Sequence, residues 1–223
     1  MASGPRSRLK TGMMKVRVAI GLTVLAPLIT FAAVLLTRNG VVPLDFGLDV
    51  LTLMVAWTVS VVALLFAVIS LVLSLPNFRR LGLISVAIVL VCGAVSAAFF
   101  FQGRAIGIGG PLDVTTDVAE PPAIARAGGA PVACPGVAAV MRQIAPAEAT
   151  AALQAAGFRI TESQLFRSRG TREGFWFGMA HEAHIRIRPG RTDVRVVARY
   201  DHTDGGETCR LAGQMVSVLQ TAP

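Results

Sequence analysis

The chain has 223 residues, 53% of them hydrophobic, with a formal charge of +8 at pH 7. Its mean hydropathy of +0.63 excludes a disordered polymer, which needs low hydrophobicity and high net charge. Most of the basic excess flanks apolar runs, so the expected partner is the lipid bilayer and not nucleic acid.

Three long apolar runs, with no acidic or basic side chain in their interiors, fill the first part of the chain, at 16–37, 50–75 and 81–101. A helix needs roughly 20 apolar residues to cross a bilayer core, and each run meets that length. A cleavable signal peptide competes for the first run, whose basic start (Arg6, Arg8, Lys10, Lys15, Arg17) suits one. The run is too long for an h-region, and Leu35-Leu36-Thr37-Arg38 is a poor small-x-small cleavage site. It reads as an uncleaved anchor.

Lys and Arg bias a loop to the cytoplasm. The segment 1–15 is strongly basic, and the loop between the second and third runs holds Arg79 and Arg80. The loop between the first two sets Arg38 against Asp45 and Asp49. This predicts a multi-pass protein of a bacterial inner membrane, with residues 1–15 a cytoplasmic tail and the C-terminal domain in the periplasm. Ionisable groups at mid-membrane mark transport pathways, and the span interiors hold no acidic or basic side chain, with Ser60, Ser85, Ser96 and Cys92 among their polar remnants. The bundle reads as an anchor or a docking surface. Gly93 with Ala97, and Cys92 with Ser96, have small-xxx-small spacing; they serve packing within the bundle or a homo-oligomer.

Gly103, Gly107, Gly109, Gly110 and Pro111 predict a tether over 102–111, neither helix nor strand. Residues 112–223 then form one domain. Pro, Gly and Ala dominate 121–136, an extended lead-in. Pro146 to Gly157 reads as a helix with Pro in its first turn and Gly as its stop. Strands are expected over 158–164, with 165–169 continuing it or starting another, over 175–177, over 182–188 and over 192–200, with a turn at Pro189-Gly190-Arg191. Asp204-Gly205-Gly206 opens a last helix whose Leu211, Met215, Val218 and Leu219 recur at helical spacing. The fold class is therefore three N-terminal transmembrane helices followed by an α+β domain, an antiparallel sheet with helices on one face.

The 182–199 hairpin is where function is sought. A turn centred on Gly190-Arg191 sets Arg188 against Asp193, Arg186 against Arg195 and Glu182 against Arg199, with His184 on the same side. Ile185, Ile187, Val194, Val196 and Ala198 take the core side, since side chains alternate along a strand. Opposed arginines repel, so an acidic group is expected near Arg186 and Arg195: a side chain from elsewhere in the domain, an anionic ligand, or an acidic partner surface.

His181-Glu182-Ala183-His184 lacks the His-Glu-x-x-His spacing that puts two His on one helix face. On a strand His181 and His184 point to opposite sides. A His181/His202 metal site with Asp204 is the weak alternative to ordinary polar packing. There is no Gly-x-Ser-x-Gly elbow and no phosphate-binding glycine loop, so no cofactor is expected and catalytic residues stay unassigned. Cys92 lies in the third span. Cys134 and Cys209 both fall in the outer domain, where an oxidising periplasm permits a disulfide; they are bridged or remain two free thiols.

Residues Asp113-Val-Thr-Thr-Asp117 with Pro121-Pro122, Ile185-Arg186-Ile187-Arg188, Asp193-Val-Arg195, Ala198-Arg199, Asp204-Gly205-Gly206 and Arg210 give the tail from Leu112 to Leu219 a resemblance to domain-of-unknown-function family 1499. The resemblance implies the same α+β domain and no activity. The chain departs from the family pattern at His181-Glu182, Val196, Ala198, Arg169 and Cys134. Fewer acids among the same arginines imply a freer, anion-attracting face.

The leading expectation is a non-enzymatic membrane protein whose periplasmic domain binds an anionic ligand or another envelope or membrane protein through Arg186, Arg188, Asp193, Arg195 and Arg199, with Asp204 nearby. One alternative is an envelope hydrolase using His181 or His184 with Glu182 or Asp204. The other is a structural accessory subunit of a membrane complex.

Overall fold

The computed structural model describes residues 5–74, 83–124 and 130–221. The loop Pro76 to Arg80 and the side chains of Arg6, Arg8, Lys10, Lys15 and Arg17, on which the orientation argument rests, lie outside the described residues. The chain divides into two compact units, Met1–Arg104 and Ala105–Pro223.

In the first unit, helix α1 (Pro5–Arg38) is followed by a π-helical stretch, Phe46–Ala56, that runs into α2 (Trp57–Ser74); α3 is Leu83–Ile106. Three segments are long and apolar enough to cross a membrane: Ile20–Arg38, Phe46–Val72 and Leu83–Ile106. The second starts earlier than the uncharged run does. Asp45 and Asp49 sit in its opening turns, where a carboxylate favours a helix N-terminus. The third runs on through Gly103, closed by Arg104, whose guanidinium lies 5.0 Å over the Phe100 ring. The expected tether is thus shortened to residues 107–112. Small residues form the seam between helices. Ala63, Ala67 and Cys92 cluster, the Thr23 hydroxyl lies 2.9 Å from Cys92 Sγ, and Ser96 Oγ donates to Ser60 Oγ at 3.3 Å.

The second unit is the α+β domain. Strands β1 (Asp113–Thr115), β2 (Arg159–Gln164), β3 (Arg167–Glu173), β4 (Ala180–Arg188) and β5 (Arg191–Ala198) form one antiparallel sheet in the order β1-β5-β4-β3-β2. Helices α4 (Pro146–Ala155) and α5 (Glu207–Thr221) cover one face of it. Alternation decides that face. Val114, Ala183, Ile185, Ile187, Val194 and Val196 point towards Leu153, Leu211, Met215 and Leu219 and are buried with them. Pro146 starts α4, where a missing N–H costs nothing. Asp204 caps α5: its carboxylate accepts from the Gly206 and Thr208 N–H groups at 2.8 Å each and from the Thr208 hydroxyl at 2.6 Å. Gly205 has φ +65°, and a Cβ there would stand 2.6 Å from the Ala105 carbonyl oxygen.

Cys134 and Cys209 are disulfide-bonded, with Cα atoms 5.8 Å apart and 75 residues apart in sequence. The bridge ties the lead-in to α5; closing so long a loop stabilises by about 4 kcal/mol in the chain-entropy model.

Two expectations are corrected. Residues 175–177 are not a strand: Gly174 and Gly178 bracket them, and the Gly174 N–H donates to the Met179 carbonyl at 2.8 Å, closing a loop between β3 and β4. The hairpin turn is Pro189-Gly190, with φ +71° at Gly190, and Arg191 already belongs to β5. The register therefore slips by two from the expected one. Arg188 faces Arg191, Arg186 faces Asp193, and His184 faces Arg195. A slip of two preserves the faces but changes every directly opposed residue; the expected Arg188–Asp193 and Glu182–Arg199 ion pairs still form, on the diagonal, and the expected Arg186–Arg195 opposition does not occur.

Candidate functional site

Arg186 and Arg188 on β4, and Arg191, Asp193 and Arg195 on β5, share the face turned away from the helices. Residues 116–124 cross that face as a strap. The Thr116 N–H donates to the Val194 carbonyl, and Val194 N–H donates back to the Thr116 hydroxyl, both at 2.9 Å. Further along, Arg186 Nη2 donates to the Glu120 carbonyl at 2.6 Å and Arg195 Nη1 to the Pro122 carbonyl at 2.8 Å. At the far end Arg169 Nη2 reaches the Ala123 carbonyl at 3.3 Å. His184 Nδ1 lies 2.7 Å from the same oxygen, so that nitrogen carries the proton. Burial lowers the His184 pKa; the Ala123 contact opposes this, and Arg169 and Arg167 add to it.

Beneath the strap the charges are arranged in depth. Arg195 and Asp113 form a buried two-pronged pair, Nε to Oδ1 at 2.9 Å and Nη2 to Oδ2 at 2.6 Å. Asp193 is fully buried; Arg186 and Arg188 reach its Oδ2 at 3.1 and 2.6 Å, and Arg191 Nε reaches Oδ1 at 2.7 Å. The same three guanidiniums converge on Asp117 Oδ2 at 3.1, 2.7 and 3.5 Å. Burial raises the Asp117 pKa but is outweighed by the Glu120 N–H and by Arg188 and Arg191, which hold the carboxyl below its ordinary value.

Three arginines thus share two deep carboxylates, leaving one positive charge. The arginine ends are the more exposed part, at 21–35% of the side chain. Glu120 meets the surplus: its carboxylate lies 2.7 Å from Arg188 Nη1, with the side chain 72% exposed. Beside this cluster lies the β2–β3 turn, where Ile187 N–H donates to the Phe166 carbonyl at 2.8 Å and Leu165 and Phe166 are both exposed.

Of the residues singled out in the sequence, the structure brings Arg186, Arg188 and Asp193 together. Arg195 lies below them on Asp113 and does not face solvent. Arg199 pairs with Glu182 as expected, though on the diagonal, two residues along from Val197, which faces Glu182 directly. Asp204 belongs to the α5 cap. The acidic group expected near Arg186 and Arg195 is a side chain from elsewhere in the domain: Asp113 in β1 meets Arg195, and Asp117 and Glu120 in the strap meet Arg186 and Arg188. These three and Arg191, assigned in sequence to the turn, are what the hairpin reading missed. Asp113 and Asp117 enter the sequence reading only through the resemblance motif, and Glu120 does not enter it.

The histidines do not converge. His181 is on the helix side, buried, with Nε2 at 3.0 Å from the Tyr200 hydroxyl, while His184 is on the strap side. His202 Nδ1 lies 2.8 Å from the Thr203 carbonyl. Burial lowers the His181 pKa against the pull of Asp204 and Glu207, and burial with those same carboxylates raises that of Tyr200. Among the described residues no group of three or more His, Cys, Asp or Glu is placed to hold a metal ion. His181 and Glu182 point to opposite faces, so they cannot act together.

Fold and site define a membrane protein with three apolar helices and a C-terminal five-stranded α+β domain. In comparison with known proteins, no family model, no curated protein and no solved structure matches the chain.

Proposed function

We propose that this protein holds a non-enzymatic recognition domain at a bacterial inner membrane, with the N-terminus cytoplasmic and the domain periplasmic. Its Arg186/Arg188/Arg191 cluster takes an acidic segment of another envelope or membrane protein. The observation that carries this is the surplus guanidinium charge over buried Asp117 and Asp193, met among the described residues by the exposed Glu120. Solvent-exposed ion pairs contribute about 0–1 kcal/mol, so Glu120 yields its place to an incoming carboxylate at little cost. Leu165 and Phe166 supply the apolar contact that arginine-centred interfaces use beside the charge. The Cys134–Cys209 bridge favours an oxidising compartment. Membership of domain-of-unknown-function family 1499 is part of the same proposal and rests on the motif residues, six of which pair in space: Arg186 and Arg188 with Asp117 and Asp193, and Arg195 with Asp113.

Titration of the full chain in nanodiscs with a glutamate-rich peptide tests the reading. Binding should weaken with salt and fall tenfold or more in Arg191→Gln, which leaves two arginines on two carboxylates. Equal binding by Arg191→Gln would overturn it. For the orientation, a periplasmic reporter fused after Pro223 should be active; an inactive fusion would reverse it.

A further inference from the structure

We propose that Phe175 and Trp176 form an interfacial anchor that seats this domain on the lipid headgroup layer. Their loop joins β3 to β4, and they are 80% and 58% exposed, with ring centroids 5.2 Å apart in an edge-to-face pair. The loop sits at the end of the sheet where the chain arrives from α3. Glu173 pairs with Ala180 across the loop, the Ala180 carbonyl accepts from Arg199 N–H at 2.8 Å, and Ala198 N–H donates to Leu112 at 2.7 Å. At the same end a Cβ on Gly205 would stand 2.6 Å from the Ala105 carbonyl oxygen.

Only residues 107–112 separate the last turn of α3 from β1. Fully extended, they span roughly 20 Å, so this end of the domain cannot leave the vicinity of the bilayer. Trp and Phe pay little to sit in that zone: Trp is enriched at membrane–water interfaces because its ring is apolar and its N–H finds water or headgroup oxygen. Ile108, in the connecting segment itself, is 61% exposed and extends the same apolar end. A lipid surface is therefore the occupant that the short connection presents to these rings. The Leu165–Phe166 turn, at the far end of β3, has no such constraint.

The test uses the full chain, which has two tryptophans. Trp57→Phe leaves Trp176 as the sole reporter. In lipid vesicles its emission should be blue-shifted, quenched by lipids brominated near the glycerol, and shielded from iodide. Emission typical of an exposed indole, quenched by iodide, would overturn the proposal. So would a blue-shifted emission that brominated lipid leaves unquenched, since protein would then cover the ring. If Trp57→Phe fails to fold, a nitroxide at Phe175→Cys in a Cys92→Ala background reads the same depth by oxygen against nickel accessibility. Oxygen-favoured relaxation supports insertion, and nickel-favoured relaxation overturns it.

Discussion

Arg195 and Asp113 stand 82 residues apart in sequence and meet in a buried two-pronged ion pair, Nε to Oδ1 at 2.9 Å and Nη2 to Oδ2 at 2.6 Å. The pair fastens the edge strand β1 to β5 and sets where the strap begins. It makes Arg195 a structural residue, the layer on which the exposed arginine cluster rests.

Removing one partner of a buried pair leaves an uncompensated charge and costs about 3–5 kcal/mol. Arg195→Ala and Asp113→Ala should each destabilise the domain by that order, read as a lower Tm or faster amide exchange in β1 and β5. Arg195→Met with Asp113→Leu should recover most of the loss, because replacing a buried pair by apolar groups is often neutral. Arg195→Glu would set two carboxylates together and unfold the domain, so it cannot report on binding.

The faces of the sheet were legible in the sequence, as were the Arg188–Asp193 and Glu182–Arg199 ion pairs; the directly opposed residues were not. Ile185, Ile187, Val194 and Val196 alternate with charged residues, and a period of two survives a two-residue slip. The turn was misplaced because Arg191 was counted into it, although Pro189 and Gly190 already fill the two central positions. The strap was out of reach for a different reason. Asp113 and Asp117 carry no local pattern; their roles come from β1, a strand of three residues paired across a separation of about eighty. Phe175 to Phe177 imitated a strand by aromatic content, and the flanking Gly174 and Gly178 were the contrary signal. The last helix was read well, since Leu211, Met215 and Leu219 are all buried on one stripe.

Cys134→Ser or Cys209→Ser should lower stability by about 4 kcal/mol in the chain-entropy model. Reduction of the wild type should match the variants in thermal melts, and leave Cys92 as the buried thiol it already is. A melt unchanged by reductant would contradict the bridge.

Stability should fall with acid in two stages. His181 and His184 are held neutral, chiefly by burial. The unfolded chain then binds more protons than the native one below about pH 6.5, so stability declines as pH drops through that value. Asp117 adds a second window: its carboxyl is held below the ordinary value near about 3.9, so its contribution is present above that pH and lost below it. Tm measured from pH 8 to pH 3 should show both steps, and His184→Gln should shrink the first.

Glu120→Gln should strengthen binding of an acidic peptide and Arg191→Gln should weaken it by tenfold or more, equivalent to about 1.4 kcal/mol for one close charge pair. Glu120→Gln touches no buried pair, so its melt should stay close to wild type; Arg191→Gln removes the donor to buried Asp193 Oδ1 but leaves Arg186 and Arg188 on Oδ2, so it should lower Tm by less than Asp113→Ala does.

The most direct measurement is photocrosslinking in the native membrane from a photoreactive residue placed at Phe166, beside the arginine cluster. A specific adduct with an envelope or membrane protein is expected, its yield rising in Glu120→Gln and falling in Arg191→Gln. Equal yields in all three, or no adduct above background, would contradict a recognition site at Arg186, Arg188 and Arg191.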